Sequence, residues 1–208
     1  MHILFVSLIG YVFGCINGSQ IVGKYKKINI KRSGMKNAGA SNTTLLLGWK
    51  YGFIVAFIDV FKVILSIFTV VVLLNKIGIV GQVQTFLIYL NALFAIIGHN
   101  YPVTMQFNGG KGTASFVGLL LYIDWKFALF GLAILLLFAW VTDYFVIGTL
   151  FMYVSFLAYT FYVYHAGPAF ISLLLIILFV VKHMENYKRI FRKEEVRLSS
   201  LIHKDGKV

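Results

Sequence analysis

Gly109, Gly110, Lys111 and Gly112 close a polar stretch, Gly98-His99-Asn100-Tyr101-Pro102-Val103-Thr104-Met105-Gln106-Phe107-Asn108-Gly109-Gly110-Lys111-Gly112-Thr113, in a chain otherwise rich in Leu, Ile, Val and Phe. Residues of these types suit an anion. Glycines lack Cβ, so several backbone N–H groups can converge on phosphate oxygens, and a lysine among them adds a mobile positive charge. The apolar run that follows from Ala114 places a helix N-terminus, with its partial positive charge, toward the same ligand. Glycine-rich segments between helices are also ordinary turns, and the Walker pattern G-x-x-x-x-G-K-[ST] is absent, so the setting has to decide.

Two further stretches have chemistry-bearing composition. Residues 29 to 44 read Asn-Ile-Lys-Arg-Ser-Gly-Met-Lys-Asn-Ala-Gly-Ala-Ser-Asn-Thr-Thr, and small residues and amides at this density form turns whose N–H groups and side chains hold oxyanions. Asn37, Gly39, Ser41 and Asn42 are the candidates there. In the third stretch His183, Asn186 and Arg189 recur at i, i+3 and i+6, which on a helix makes one polar stripe. Asp59 and Lys62 lie three apart inside an apolar run. An isolated Asp near mid-membrane costs roughly 2.5–3.5 kcal/mol on insertion scales, so the pair is expected to face the protein interior.

The elements that must position these residues are membrane helices. Of 208 residues, 60% are hydrophobic and 12% charged, with a mean hydropathy of +0.86. A soluble domain carries roughly 25% charged residues, so the composition is that of an integral membrane protein. Apolar segments near 3–23, 51–75, 80–98, 114–123, 127–143, 145–165 and 167–182 predict an all-α fold of about seven transmembrane or re-entrant helices. The fourth is too short to span alone. Residues 114 to 143 read either as two short helices or as one long helix interrupted at Asp124-Trp125-Lys126. A single helical domain is expected over 1–198, followed by a short basic tail, 199–208.

Charge sets the expected orientation. The net charge is +12. Seven basic residues and no acidic one lie between Lys24 and Lys50, and eight basic residues follow from Lys182. The positive-inside rule makes both segments cytoplasmic, which places the N-terminus outside, the C-terminus inside, and the three polar stretches on the cytoplasmic face. Basic residues beside apolar spans point to anionic lipid and phosphate rather than nucleic acid. The lone Cys15 reads as a packing residue, and the first apolar segment, lacking a basic leader, does not read as a cleaved signal peptide.

Taken together, the stretches resemble the acyl-phosphate-dependent glycerol-3-phosphate acyltransferases of bacterial inner membranes, the PlsY type. GHNYPVTMQFNGGKG matches the family's middle motif almost residue for residue, Asp59 and Lys62 fall in a Leu-Asp-x-x-Lys-like segment, and His183, Asn186, Arg189 and Glu195 fall where the last motif has the same types. The first motif departs from D-I-R-x-x-G-S-G-N-x-G-A-T-N-x-x-R. Asn29 stands for Asp, Lys31 for Arg, Met35 and Lys36 for the Ser-Gly pair, Ser41 for Thr and Leu45 for the last Arg. The resemblance implies transfer of a fatty acyl group from acyl phosphate to the 1-hydroxyl of glycerol 3-phosphate, without cofactor or metal. It implies His183, Asn186 and Lys111 as catalytic residues. Substrate-binding residues would be Asn37, Gly39, Ser41, Asn42, His99, Gly109, Gly110, Gly112 and Arg189. The acyl chain would lie between helices, toward membrane lipid. Two other readings stay open at this point: a divergent relative with another acceptor or no turnover, and a small organic-anion transporter. Polar residues confined to one face and the lack of an inverted repeat weigh against transport.

Overall fold

The structure, a computed structural model, describes residues 1–202; Lys204 and Lys207 of the basic tail lie outside them. The described residues form helices and turns throughout, as expected where lipid offers the backbone no hydrogen-bond partner. They divide into two compact units, Met1–Asp124 and Trp125 onward.

The first unit contains α1 (His2–Gly14), α2 (Gly18–Lys26), α3 (Ala40–Leu47), α4 (Trp49–Lys76), α5 (Gly81–Asn100) and α6 (Thr113–Ile123). The centre is α4, which packs against all five of the others. Its buried residues, Gly52, Val55, Asp59, Lys62, Val63, Ser66, Ile67, Val70 and Leu74, recur at spacings of three and four and form one face. The opposite face leaves Phe53, Phe57, Phe61, Leu65 and Phe68 exposed to lipid.

Backbone contact joins α1 to α5. A Cβ on Gly10 or Gly14 would overlap the carbonyl oxygens of Asn91 and Ala95, and one on Gly98 would overlap that of Tyr11. Small residues one turn apart let membrane helices approach this closely. Asn91, fully buried, fastens the junction: its Nδ2 donates to the Val6 carbonyl at 3.0 Å, and its Oδ1 accepts from Ser66 Oγ of α4 at 2.9 Å.

The expected first segment, 3–23, is interrupted. α1 stops at Gly14 and α2 starts at Gly18, with Asn17 capping α2 by accepting from Gln20 N at 3.1 Å. Such a break strands carbonyls and N–H groups that water cannot reach. Lys62 and Asp59 supply the partners. Lys62 Nζ donates to the carbonyls of Gly14 at 3.1 Å and Ile16 at 2.6 Å, while Asp59 Oδ1 accepts from Gly18 N at 3.2 Å and lies 3.0 Å from Lys62 Nζ. Hydropathy did not reveal the break, because His2–Lys26 as a whole stays apolar enough to span despite Asn17, Ser19 and Gln20.

The second unit is α7 (Trp125–Thr142), α8 (Phe145–Tyr164), α9 (Ala166–Phe191) and the short α10 (Leu198–Ile202). Turns of one or two residues make α8 antiparallel to α7 and α9, and it packs on both. Trp125 and Trp140, exposed near the two ends of α7, occupy the positions of an aromatic belt. The Asp143 carboxylate accepts from both the N–H and the hydroxyl of Ser199, each at 2.7 Å, which anchors the segment following α9. These bonds hold the Asp143 carboxyl below the usual range.

Among the described residues, six stretches are long and apolar enough to cross a membrane: His2–Lys26, Trp49–Lys76, Gly81–Met105, Trp125–Thr142, Phe145–Tyr164 and Ala166–Phe191. The uncertain region 114–143 is two helices parted by Asp124, which is extended (φ −158°). At 1.5 Å per residue, α6 with its 11 residues covers roughly half of a ~30 Å hydrocarbon core.

Removing one member of the Asp59–Lys62 pair leaves an unpaired buried charge. Lys62→Met or Asp59→Asn alone is expected to cost about 3–5 kcal/mol, and the double variant less than the sum. Unfolding of detergent-solubilised variants in a double-mutant cycle measures this coupling.

Candidate functional site

Residues 28 to 42 fold around one amide. Asn42, in the first turn of α3, is fully buried. Its Nδ2 lies within donating distance of the carbonyls of Ile30 (2.8 Å), Asn37 (2.9 Å) and Ser33 (3.0 Å), and its Oδ1 accepts from Met35 N at 2.8 Å. Asn29 caps the short 3-10 turn at Ile30–Arg32 by accepting from Arg32 N at 3.1 Å. The loop enters α3 through Gly39, and no side chain caps the first turn of that helix.

The second loop doubles back on the end of α5. Gly109 N donates to the Asn100 carbonyl and Gly110 N to that of His99, both at 3.1 Å. A Cβ on Gly109 would overlap the His99 carbonyl, and one on Gly110 would overlap the His99 ring and sit 2.7 Å from the Ala38 carbonyl. Both glycines are therefore required by close approach, and their N–H groups are engaged within the loop. Gly112 has φ +87° and leads into α6, whose first turn again has no side-chain cap. Two helix N-termini thus follow directly on glycines, and their positive ends suit an anion.

The two loops interlock. Ala38 meets Gly110, and Lys31 Nζ donates to the Gly109 carbonyl at 3.3 Å. Partial burial pulls the Lys31 ammonium below the usual lysine range. Lys31, Arg32, Lys36 and Asn108 line an open recess of about 460 Å³ between the loops.

His99 lies beneath the second loop, 3% exposed. Its Nδ1 is 2.7 Å from Lys62 Nζ and 3.4 Å from Asp59 Oδ1. Nδ1 thus faces both a donor, the Lys62 ammonium, and an acceptor, the Asp59 carboxylate, while Nε2 lies on the side of Gly110. The pair that mends the first span therefore also orients the histidine supporting the glycine turn.

In the second unit, the last polar stretch forms its own constellation at the end of α9. His183 is buried, packs on Phe179 with the ring centroids 4.1 Å apart and the planes tilted by 33°, and has Nδ1 2.9 Å from the Phe179 carbonyl. A carbonyl only accepts, so in the neutral ring Nδ1 holds the hydrogen and Nε2 is the basic nitrogen. Glu195 folds back from beyond the helix and bridges the other two residues. Its Oε1 accepts from Asn186 Nδ2 at 2.7 Å and its Oε2 from Arg189 Nε at 2.6 Å.

Of the candidates named from sequence, Asn37, Gly39, Ser41, Asn42, His99, Gly109, Gly110, Lys111 and Gly112 belong to the first unit, and His183, Asn186 and Arg189 to the second. Ser41 is exposed, Asn37, Gly39 and Lys111 are half-buried, and Asn42 and His99 are buried with their polar atoms turned toward the loops. Sequence reasoning missed the recess formed by Arg32, Lys36 and Asn108, and the contact of His99 with Lys62. The i, i+3 spacing of Asp59 and Lys62 signalled one member of that cluster, but no local pattern signals a partner 37 positions away.

The family model of glycerol-3-phosphate acyltransferases matches residues 4–193. Glycerol-3-phosphate acyltransferase 1 of Oceanobacillus iheyensis is 58% identical over 204 residues, covering 98% of this chain and 99% of that protein. The glycerol-3-phosphate acyltransferase of Aquifex aeolicus is 30% identical over 199 residues, covering 95% and 100%. Two crystal structures of PlsY, an integral membrane glycerol 3-phosphate acyltransferase, share the fold at 27% identity. The glycerol 3-phosphate form has a TM-score of 0.84 and covers 97% of this chain and 98% of that one; the lysophosphatidic acid form has 0.81, with 95% of each. The break in α1–α2, the interlocked glycine loops and the His-Asn-Arg-Glu cluster are thus features of a chain that belongs to the glycerol-3-phosphate acyltransferase family.

Proposed function

We propose that this chain transfers a fatty acyl group from acyl phosphate to the 1-hydroxyl of glycerol 3-phosphate, forming lysophosphatidate and releasing phosphate, at the cytoplasmic face of a bacterial inner membrane. The observation that supports this most directly is the pair of interlocked loops, each entering an uncapped helix N-terminus through glycine. Acyl phosphate is a mixed anhydride and already activated. A protein acting on it has to position two phosphates and stabilise charge on the carbonyl oxygen, and needs no nucleophilic side chain of its own.

The acceptor hydroxyl oxygen attacks the acyl carbonyl carbon, the bond from that carbon to the phosphate oxygen breaks, and the hydroxyl proton ends on the departing phosphate. Lys111 supplies charge at the phosphate, beside Gly112 and the first turn of α6. Asn37, Gly39 and Ser41 flank the first turn of α3 and offer further donors. Asn42 and His99 act one layer back: Asn42 holds the first loop in shape, and His99 supports the Gly109–Gly110 turn. His183 offers a basic Nε2 toward the acceptor proton, and Asn186 and Arg189, braced by Glu195, orient a substrate phosphate. The acyl chain lies among membrane lipid.

Purified protein given acyl phosphate and glycerol 3-phosphate is expected to release lysophosphatidate and phosphate in equal amounts; phosphate without lysophosphatidate would sink the acceptor assignment. Lys111→Ala and His183→Ala are each expected to lower kcat/KM at least about tenfold with the fold intact by circular dichroism. Wild-type turnover in both variants would remove these roles. For orientation, a Cys15→Ser chain with a single new cysteine at Lys50 or Arg197 should resist a membrane-impermeant maleimide in intact cells and react once the inner face is opened.

A further inference from the structure

The positive recess of the first unit has no part in the roles above. Lys31, Arg32, Lys36 and Asn108 surround it. The sequence has no Asp or Glu from position 24 to 58 and none from 98 to 113. Among the described residues neither Arg32 nor Lys36 joins an ion pair. Asp59, the acidic residue nearest in sequence, is buried against Lys62 and His99. Three cations are therefore gathered at one opening with no carboxylate from their own loops to offset their repulsion, an arrangement that a multiply charged anion stabilises.

The backbone points the same way. Lys36 has φ +52°, in the left-handed region where glycine is favoured and a side chain is not. A lysine there sets its ammonium at the recess at the expense of backbone comfort. The recess, at about 460 Å³, falls within the range of small-molecule sites, roughly 300–1,000 Å³. One arginine fork and the ammonium groups of Lys36 and the tethered Lys31 suit a phosphate with three free oxygens, and the Asn108 amide suits a neighbouring hydroxyl. Lys31, bonded to the Gly109 carbonyl, joins the recess to the second glycine loop.

We propose that Arg32 and Lys36, together with Lys31, form a binding site for a phosphate monoester and set this chain's affinity for its phosphorylated acceptor. The site's general chemistry stands on the recess alone; that the monoester is glycerol 3-phosphate rests on the acyltransferase reading. The headgroup of lysophosphatidate presents the same group, so the two sources are separated by experiment.

The test is calorimetric titration of the full-length, detergent-solubilised chain with glycerol 3-phosphate, alongside inhibition of acyl transfer by added lysophosphatidate. Lys36→Gly removes the charge while giving the backbone the residue it favours, so loss of folding is not the expected outcome. Lys27→Gly is the matched control: Lys27 also has a positive φ, +55°, at the end of α2, but does not line the recess. Lys36→Gly and Arg32→Gln are each expected to raise the Kd for glycerol 3-phosphate about tenfold, with KM rising in step and kcat within about threefold, while Lys27→Gly stays within about twofold of wild type. A shift for glycerol 3-phosphate assigns the site to the soluble acceptor, and a shift confined to lysophosphatidate inhibition assigns it to the lipid headgroup. No shift in either, or an equal shift in Lys27→Gly, overturns the proposal. Binding that weakens in Lys36→Gly while wild-type protein transfers no acyl group would uphold the site and sink the acyltransferase reading instead.

Discussion

A buried ammonium and a buried carboxylate hold the first unit together. Lys62 donates to two carbonyls freed where the first span breaks, and Asp59 accepts from the N–H that opens the next helix. Each charge is costly in a membrane on its own, and so is each stranded backbone group. Set against one another, the two costs largely cancel. The pair lies on the buried face of α4, the helix against which every other helix of the unit packs, so the repair sits where it can fix several elements at once.

From that point a line of contacts runs to the glycine loops. Lys62 holds His99, His99 lies under Gly110, and Gly110 touches Ala38 of the first loop. At Gly110 the approach is so close that even a Cβ would overlap the His99 ring. The backbone around the loops is thereby fixed before any substrate arrives, which is what a reaction governed by positioning requires. The second unit follows the same plan by simpler means: Glu195 returns from a tethered segment to hold Asn186 and Arg189 in place.

Much of this was legible in the sequence, for reasons that differ by element. The spans were readable because lipid leaves the backbone no alternative to helix, so long apolar runs have one outcome. Asp124-Trp125-Lys126 stood out between 114–123 and 127–143, yet two short helices and one interrupted helix read alike there, because a carboxylate in an apolar run can also sit inside a helix, as Asp59 does in α4. The break at Cys15–Asn17 was hidden because the long apolar window around it outweighs Asn17, Ser19 and Gln20, and its stabilising partners lie more than 40 positions away. Gly109, Gly110 and Gly112 announced a tight loop, but not that the N–H groups of the first two are engaged at the end of α5. His183, Asn186 and Arg189 aligned by helical spacing alone, whereas Glu195 reaches them only because the chain turns back after α9, a tertiary event without local signature.

Asn42 grips backbone atoms only: the carbonyls of Ile30, Ser33 and Asn37 and the N–H of Met35. None of these contacts depends on what side chains those positions present. A loop pinned in this manner is free to drift in composition at its rim while its main chain keeps one shape. Lys31, Met35 and Lys36, where the loop departs from the D-I-R-x-x-G-S-G pattern, leave every one of these backbone bonds in place.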